Sequence, residues 1–293
     1  MSTLNVERVG HFSGHGSDLA LIHGWGIGKA VWQPVIEDLA RRFRVHLLDL
    51  PGYGTPEQRM DKRSWPGQGP QAHEQTACGD VESSSPFDAL THLYSCDMPS
   101  FIDTAAALAD TLPKGCILCG WSLGSQLAMQ AAVLRPDHFS RLILVASTPR
   151  FTQADDWPHA QTPALLDAFE AAVGEDPGTT LKRFIALLNQ GDTQARANVR
   201  TLAHGLSDSK LPDAATLIQG LGWLRDVDLR QQLAAIALPT LLIHGENDPL
   251  MPLPAAQWLK EQLPHAQLEI FAGAAHAPFL NDPERFARLF GDF

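Results

Sequence analysis

A serine flanked by glycines, Gly120-Trp121-Ser122-Leu123-Gly124, follows the apolar run Cys116-Ile117-Leu118-Cys119 and precedes the helix formers Gln126-Leu127-Ala128-Met129-Gln130-Ala131-Ala132. A strand, Gly-x-Ser-x-Gly and then a helix put a serine hydroxyl on a sharp, strained turn at a strand end. Gly120 and Gly124 lack the side chains that would collide across that turn. The helix N-terminus next to Ser122 favours a developing oxyanion. A hydroxyl is a weak nucleophile until a base takes its proton. Of the 12 histidines, His276 is the candidate base. It lies in Ala272-Gly273-Ala274-Ala275-His276-Ala277-Pro278-Phe279, just past the last expected strand, where parallel sheets build their sites. Asp248, in Gly245-Glu246-Asn247-Asp248-Pro249, is the candidate acid to orient the imidazole. Glu246 and Asp49 are its rivals, and both read better as turn and cap residues. An oxyanion needs two N–H donors. Leu123, directly after the nucleophile, supplies one, and Trp25 in His23-Gly24-Trp25-Gly26 supplies the other. His23 is expected to hold that loop rather than to act as a base. The chemistry of this set is acyl transfer through a serine.

These residues need a sheet to carry them. Continuous apolar runs occur at Leu19–His23, Val45–Asp49, Cys116–Cys119, Leu142–Val145 and Thr240–His244, with a weaker one at Leu268–Phe271. Runs without alternation read as parallel strands covered on both faces. Helical stretches at roughly 29–41, 101–112, 123–135 and 253–263 separate them, which gives an α/β fold with a mostly parallel, doubly wound sheet. The first dozen residues are expected to form an antiparallel edge hairpin. Residues 152–225 hold Leu165, Leu166, Phe169, Leu181, Phe184, Ile185 and Leu188 at helical spacing, a helical cap of about four helices inserted between strands. The core is then 1–151 and 226–293. Residues 55–99, rich in Pro, Gly, Ser and charge, read as a polar loop insert.

Composition excludes other classes. The 293 residues carry 22 Lys plus Arg against 33 Asp plus Glu, a net charge of −11, which disfavours nucleic acid. No apolar run reaches the ~20 residues of a membrane span, and the start lacks the marks of a signal peptide. Four cysteines are too few for a disulfide scaffold, so a reducing cytoplasm is expected; Cys78 and Cys96 read as free thiols there, with a disulfide between them as the alternative. Cys116 and Cys119 have redox-motif spacing, but within a strand they face opposite sides. No cluster has zinc spacing and no glycine-rich loop has a phosphate pattern, so neither metal nor cofactor is expected.

The order Ser122, Asp248, His276 is that of α/β-hydrolases. The chain resembles, more narrowly, the pimeloyl-[acyl-carrier protein] methyl ester esterases of biotin synthesis (the BioH family). His23-Gly24-Trp25-Gly26, Asp49-Leu50-Pro51-Gly52-Tyr53-Gly54, Gly120–Gly124 and Ala274–Phe279 carry the resemblance. So do Asp156-Trp157-Pro158, Arg183-Phe184-Ile185-Ala186-Leu187 and Val227-Asp228-Leu229-Arg230. It implies an α/β-hydrolase fold with a helical cap, and a serine carboxylesterase that frees the masked pimeloyl carboxylate from its methyl ester. Ser122, Asp248 and His276 would be the triad, Trp25 and Leu123 the oxyanion and substrate site, and Phe184 the lining of the acyl channel. Arg183, Arg196 and Arg200 match the positions that hold the acyl carrier protein, while a further family arginine is Thr179 here. Residues 178–205 carry Lys182, Arg183, Arg196 and Arg200 against Asp192 alone. The insert at 55–99 departs from the family pattern. A cytoplasmic monomer is expected. Two other readings keep part of the evidence: a general short-chain esterase, perhydrolase or carbon–carbon hydrolase, and a ligand receptor on the same fold.

Overall fold

The computed structural model describes residues 4–9, 16–54, 98–208 and 211–293. Residues 55–97, most of the expected insert, lie outside the described residues, and so do Cys78 and Cys96. Each apolar run becomes a strand: β2 (Asp18–Ile22), β3 (Arg44–Asp49), β4 (Cys116–Trp121), β5 (Phe139–Val145), β6 (Thr240–Gly245) and β7 (Ala266–Phe271). With β1 (Asn5–Val9) they form a seven-stranded sheet in the order β1-β3-β2-β4-β5-β6-β7. β2 through β7 pair in parallel. Every residue of β4 and β6 is buried, which is why these runs are apolar without alternation.

Of the edge hairpin expected over the first dozen residues, the described part is β1, and its partner lies further along the chain. β1 pairs antiparallel with β3, Asn5 opposite Asp49 and Val9 opposite Val45. β2 already has β3 on one side and β4 on the other, so the open edge is that of β3.

Helices cover both faces of the sheet. A 3-10 turn at Lys29–Trp32 leads into α1 (Gln33–Ala40). α2 (Phe101–Thr111) starts at a reciprocal capping box between Ser100 and Asp103. α3 (Leu123–Leu134) follows β4 directly, with Ser122 between them. Four helices then stand between β5 and β6: α4 (Pro163–Glu175), α5 (Pro177–Leu188), α6 (Ala195–Asp208) and α7 (Ala214–Asp226). Asp176 and Asp213 cap α5 and α7, accepting from the N–H groups of Thr179 and Thr216. α8 (Leu253–Gln262), a short α9 (Pro278–Asn281) and α10 (Pro283–Asp292) complete the core. Phe279, Phe286 and Phe290 join Trp32 in a cluster of rings 4.8–6.2 Å apart.

The cap's two stems are fastened to each other. Arg150, just past β5, places its guanidinium 2.8 Å from Asp228, and Arg230 holds the same carboxylate at 2.7 Å. Arg230 also reaches Asp156 at 3.0 Å and lies over the Trp157 ring, whose indole N–H donates to Arg150 O. The Leu229 N–H donates to Pro149 O. Two sequence motifs singled out at the cap's entry and exit, Asp-Trp-Pro and Val-Asp-Leu-Arg, thus meet in one clasp.

Candidate active site

Ser122 sits between β4 and α3 with φ 58° and ψ −121°, in the left-handed half of backbone space that side chains avoid. Such a residue costs about 1–3 kcal/mol and persists only where its neighbours fix it. Here the Ser122 N–H donates to Val145 O on β5. A Cβ on Gly124 would stand 2.5 Å from His23 O and 2.7 Å from Ile22 O; one on Gly120 would collide with Gly124 O. The two glycines therefore allow three segments to converge beneath the serine.

His276 and Asp248 arrive from the next strand ends. The loop after β7 carries His276, and the loop after β6 carries Asp248. His276 Nε2 lies 2.9 Å from Ser122 Oγ. Its Nδ1 lies 2.8 Å from Asp248 Oδ2 and 3.0 Å from Oδ1. A carboxylate only accepts, so Nδ1 holds the proton and Nε2 presents its lone pair to the serine hydroxyl. All three side chains are buried. Asp248 is steadied by the N–H groups of Leu250 and Met251, each donating to Oδ1 at 2.9 Å. Burial alone would raise its pKa, but His276, His244 and the Met251 N–H outweigh burial and hold the carboxyl below the usual carboxylate range. The Trp121 indole N–H donates to His276 O at 2.7 Å.

The rivals stand elsewhere. Glu246 is exposed and accepts from the Gly273 N–H. Asp49 binds the Lys29 N–H and ammonium, with Asn5 behind it. His23 is buried; its Nε2 accepts from the Leu50 N–H and its Nδ1–H donates to Gly24 O. Both ring nitrogens are thus occupied in the neutral form, and burial lowers the pKa. It fastens the loop, as expected.

That loop carries Trp25. Its indole N–H donates to Leu217 O on α7 at 2.8 Å. Its ring meets Phe184 of α5 edge-on at 4.8 Å and Phe169 of α4 at 5.9 Å. The next N–H, of Gly26, donates to the Tyr53 hydroxyl. Leu123 occupies the first turn of α3, where backbone N–H groups have no partner within the helix. Trp25, Leu123 and Phe184 are all buried. Arg183, Arg196 and Arg200 lie apart from this cluster, exposed on α5 and α6. Among the described residues none of the three is paired with a carboxylate. Sequence reasoning passed over Trp121, Leu217 and Asp192 as site residues. Trp121 alone carried a signal, as the aromatic inside Gly-x-Ser.

A set of this kind can transfer a serine proton to an imidazole and stabilise the imidazolium formed. Cys116 and Cys119 take no part: both are buried and free, and burial pushes the Cys116 thiol up to about 12. No group of metal-ligating side chains occurs among the described residues, and no described helix is long and apolar enough to cross a membrane.

The fold and this arrangement define a class: the chain belongs to the alpha/beta hydrolase fold family, which matches it over residues 19–283. Within that class it is closely related to the pimeloyl-[acyl-carrier protein] methyl ester esterases. The protein of that name from Aeromonas hydrophila is 36% identical over 291 residues, covering 99% of each chain. That from Nitrosomonas europaea is 33% identical over 290 residues, again with 99% of each covered. Among solved structures, the esterase EaEST from Exiguobacterium antarcticum superposes with a TM-score of 0.74 at 22% identity, covering 99% of this chain and 95% of that one. The enol-lactonase from Burkholderia xenovorans LB400 gives 0.73 at 18% identity, covering 99% and 96%. Likeness at such identities is one of fold.

Proposed function

We propose that the chain is a serine carboxylesterase that removes the methyl ester from a pimeloyl chain carried on acyl carrier protein, as a cytoplasmic monomer serving biotin synthesis. The observation that carries the chemistry is the hydrogen-bonded line Ser122 Oγ, His276, Asp248. His276 Nε2 takes the hydroxyl proton as Ser122 attacks the ester carbonyl. The oxyanion is held by the N–H groups of Trp25 and Leu123, the second with the α3 dipole behind it. His276 then gives the proton to the departing methanol, and water repeats the cycle on the acyl-enzyme. Asp248 keeps the imidazole in the productive tautomer. Phe184, against Trp25, lines the acyl path. No cofactor or metal enters these steps.

Relatedness along the whole chain supports the substrate. Charge supports the carrier. Carrier proteins are acidic, and an enzyme of net charge −11 needs a local reversal to meet one. Lys182, Arg183, Arg196 and Arg200 are exposed on the cap. Asp192, the one acid in that stretch, is turned inward and bound to the Ala275 N–H, so the stretch stays positive and its exposed charges are the four cations. Beside Arg200 an open cleft of about 650 Å³ runs to Ile27 and Gly28, next to the Trp25 loop.

The test is complementation of a biotin auxotroph lacking its own pimeloyl methyl ester esterase. The parent gene should restore growth and Ser122→Ala should not, since nucleophile loss costs on the order of 10⁶ in kcat. A purified protein that hydrolyses a short-chain ester but fails to complement would be a general esterase. One that turns over neither substrate and forms no adduct with an organophosphonate would be a receptor.

A further inference from the structure

The cap reaches past the substrate region and takes hold of the base loop. Between α5 and α6, residues 189–194 lie against the loops that carry Asp248 and His276. The His276 N–H donates to Leu188 O at 3.2 Å. The N–H just before it, of Ala275, donates to Asp192 Oδ2 at 2.8 Å. Two consecutive N–H groups of the base loop therefore end on the cap. The Thr193 N–H donates to Gly273 O, and the Asn247 side-chain N–H to Gly191 O. Asp192 is the carboxylate through which the cap side of this seam binds the base loop. It is 8% exposed. Its Oδ1 accepts from the Gln194 N–H at 2.7 Å and from Asn281 Nδ2 at 3.0 Å. Three donors from three segments thus converge on one carboxylate.

We infer that Asp192 is a positioning residue for the reaction. From the cap, its carboxylate sets the backbone just before His276, so that the imidazole spans Ser122 and Asp248. Hydrogen bonds to an ionised acceptor are about twice as strong as neutral ones, so the brace is stiff although it comes from another layer. α6 begins at Ala195, so the helix bearing Arg196 and Arg200 starts three residues beyond the brace. The inference rests on His276 being the base.

Asp192→Asn tests it with little change of shape. An amide has one acceptor oxygen. That oxygen goes to the side with two donors, Gln194 and Asn281, and the NH₂ is left facing the Ala275 N–H, donor against donor. With a free short-chain ester, kcat should fall at least tenfold and KM should stay within twofold, because Asp192 touches no substrate. The downfield proton signal of the imidazole Nδ1–H bonded to Asp248 should shift or broaden. Asp192→Ala should do the same where it folds. An unchanged kcat and proton signal in folded Asp192→Asn, with or without a lower melting temperature, would overturn the inference. His276→Ala belongs in the same set. If it keeps the parent's turnover, the base assignment itself fails. If it loses turnover while Asp192→Asn does not, only the positioning role falls.

Discussion

Gly245 ends β6 with the base loop lying directly on its Cα, and Gly245→Ala should move that loop. A Cβ there would stand 2.6 Å from Ala274 O and 2.8 Å from Ala275 C, with Ala275 O closer still. Ordinary contact begins near 3.4 Å, so clearing Ala274 O alone takes about 0.8 Å, and clearing Ala275 O, the nearest atom, takes the loop back by more than about 1 Å. β6 cannot yield instead, because it is buried along its whole length between β5 and β7. The displaced peptides are those just before His276, so the 2.9 Å contact with Ser122 Oγ opens by a similar amount. A misplacement near 1 Å costs roughly 10²-fold in rate, about 2.7 kcal/mol in the barrier. Overpacking adds a stability loss of about 1–3 kcal/mol. The assay is kcat on a chromogenic short-chain ester, with labelling by an organophosphonate and a urea titration alongside. The expected variant is folded, labels slowly and retains about one hundredth of the turnover. A folded Gly245→Ala protein within threefold of the parent would refute the argument that loop placement limits the reaction.

Asp248→Asn should lower kcat by roughly 10⁴ through the wrong imidazole tautomer, whereas Glu246→Gln, bound only to the Gly273 N–H, should stay within a few-fold; the reverse ranking would move the acid to Glu246. The pair Arg196→Glu/Arg200→Glu should raise KM for the carrier-bound ester at least tenfold, about 1.4 kcal/mol, while a free ester is turned over within twofold of the parent. The carrier reaction should also slow as salt rises; equal losses on both substrates would mean a damaged cap. Burial raises the Asp228 pKa, but the Arg230 and Arg150 guanidiniums outweigh it and hold the carboxyl down at about 2, against about 4 in an unfolded chain. Its stabilisation, on the order of 1–2 kcal/mol, is therefore complete above about pH 4 and lost as the pH falls toward 2. Asp228→Asn should lower the urea midpoint at pH 7, with the gap to the parent closing between pH 4 and 2; a gap constant with pH would show that the clasp is not ionic.

The sheet was legible because its strands are buried on both faces and so appear as unbroken apolar runs. Leu241, Leu242 and Ile243 at the centre of β6 are examples. Ser122 was legible because its turn demands glycines at fixed offsets, and His276 because small residues precede it. α10 was not foreseen. Its alternation of Phe286 and Phe290 with Glu284, Arg285 and Arg288 makes an amphipathic face, but over ten residues that pattern is easily lost behind the prolines of 278 and 283. β1 was foreseen as an antiparallel edge element but its partner, β3, was not, since which edge is open depends on the order of all the other strands. The seam around Asp192 left no local trace. An acid followed by Thr193 and Gln194 just before a helix reads as an ordinary cap, and two of the three donors it serves lie more than eighty residues away. Trp25 is similar: its indole partner, Leu217 O, is 192 positions along the chain.

The stems of the cap end in a clasp that closes on itself, with Arg150 and Arg230 gripping Asp228. By that feature alone the cap is a cassette, with both ends at one point of the core. Transplanting a cap from another hydrolase would need only two joints, at about 149 and 230, if the clasp were the sole attachment. A donor cap carrying its own version of the clasp should be received as a folded unit. It would nonetheless reach the host without the carbonyls of Leu188 and Leu217 in register. Chimaeras built at these joints should therefore divide sharply, with many that fold and few that turn over substrate, and repair should come from substitutions inside the graft rather than at its joints.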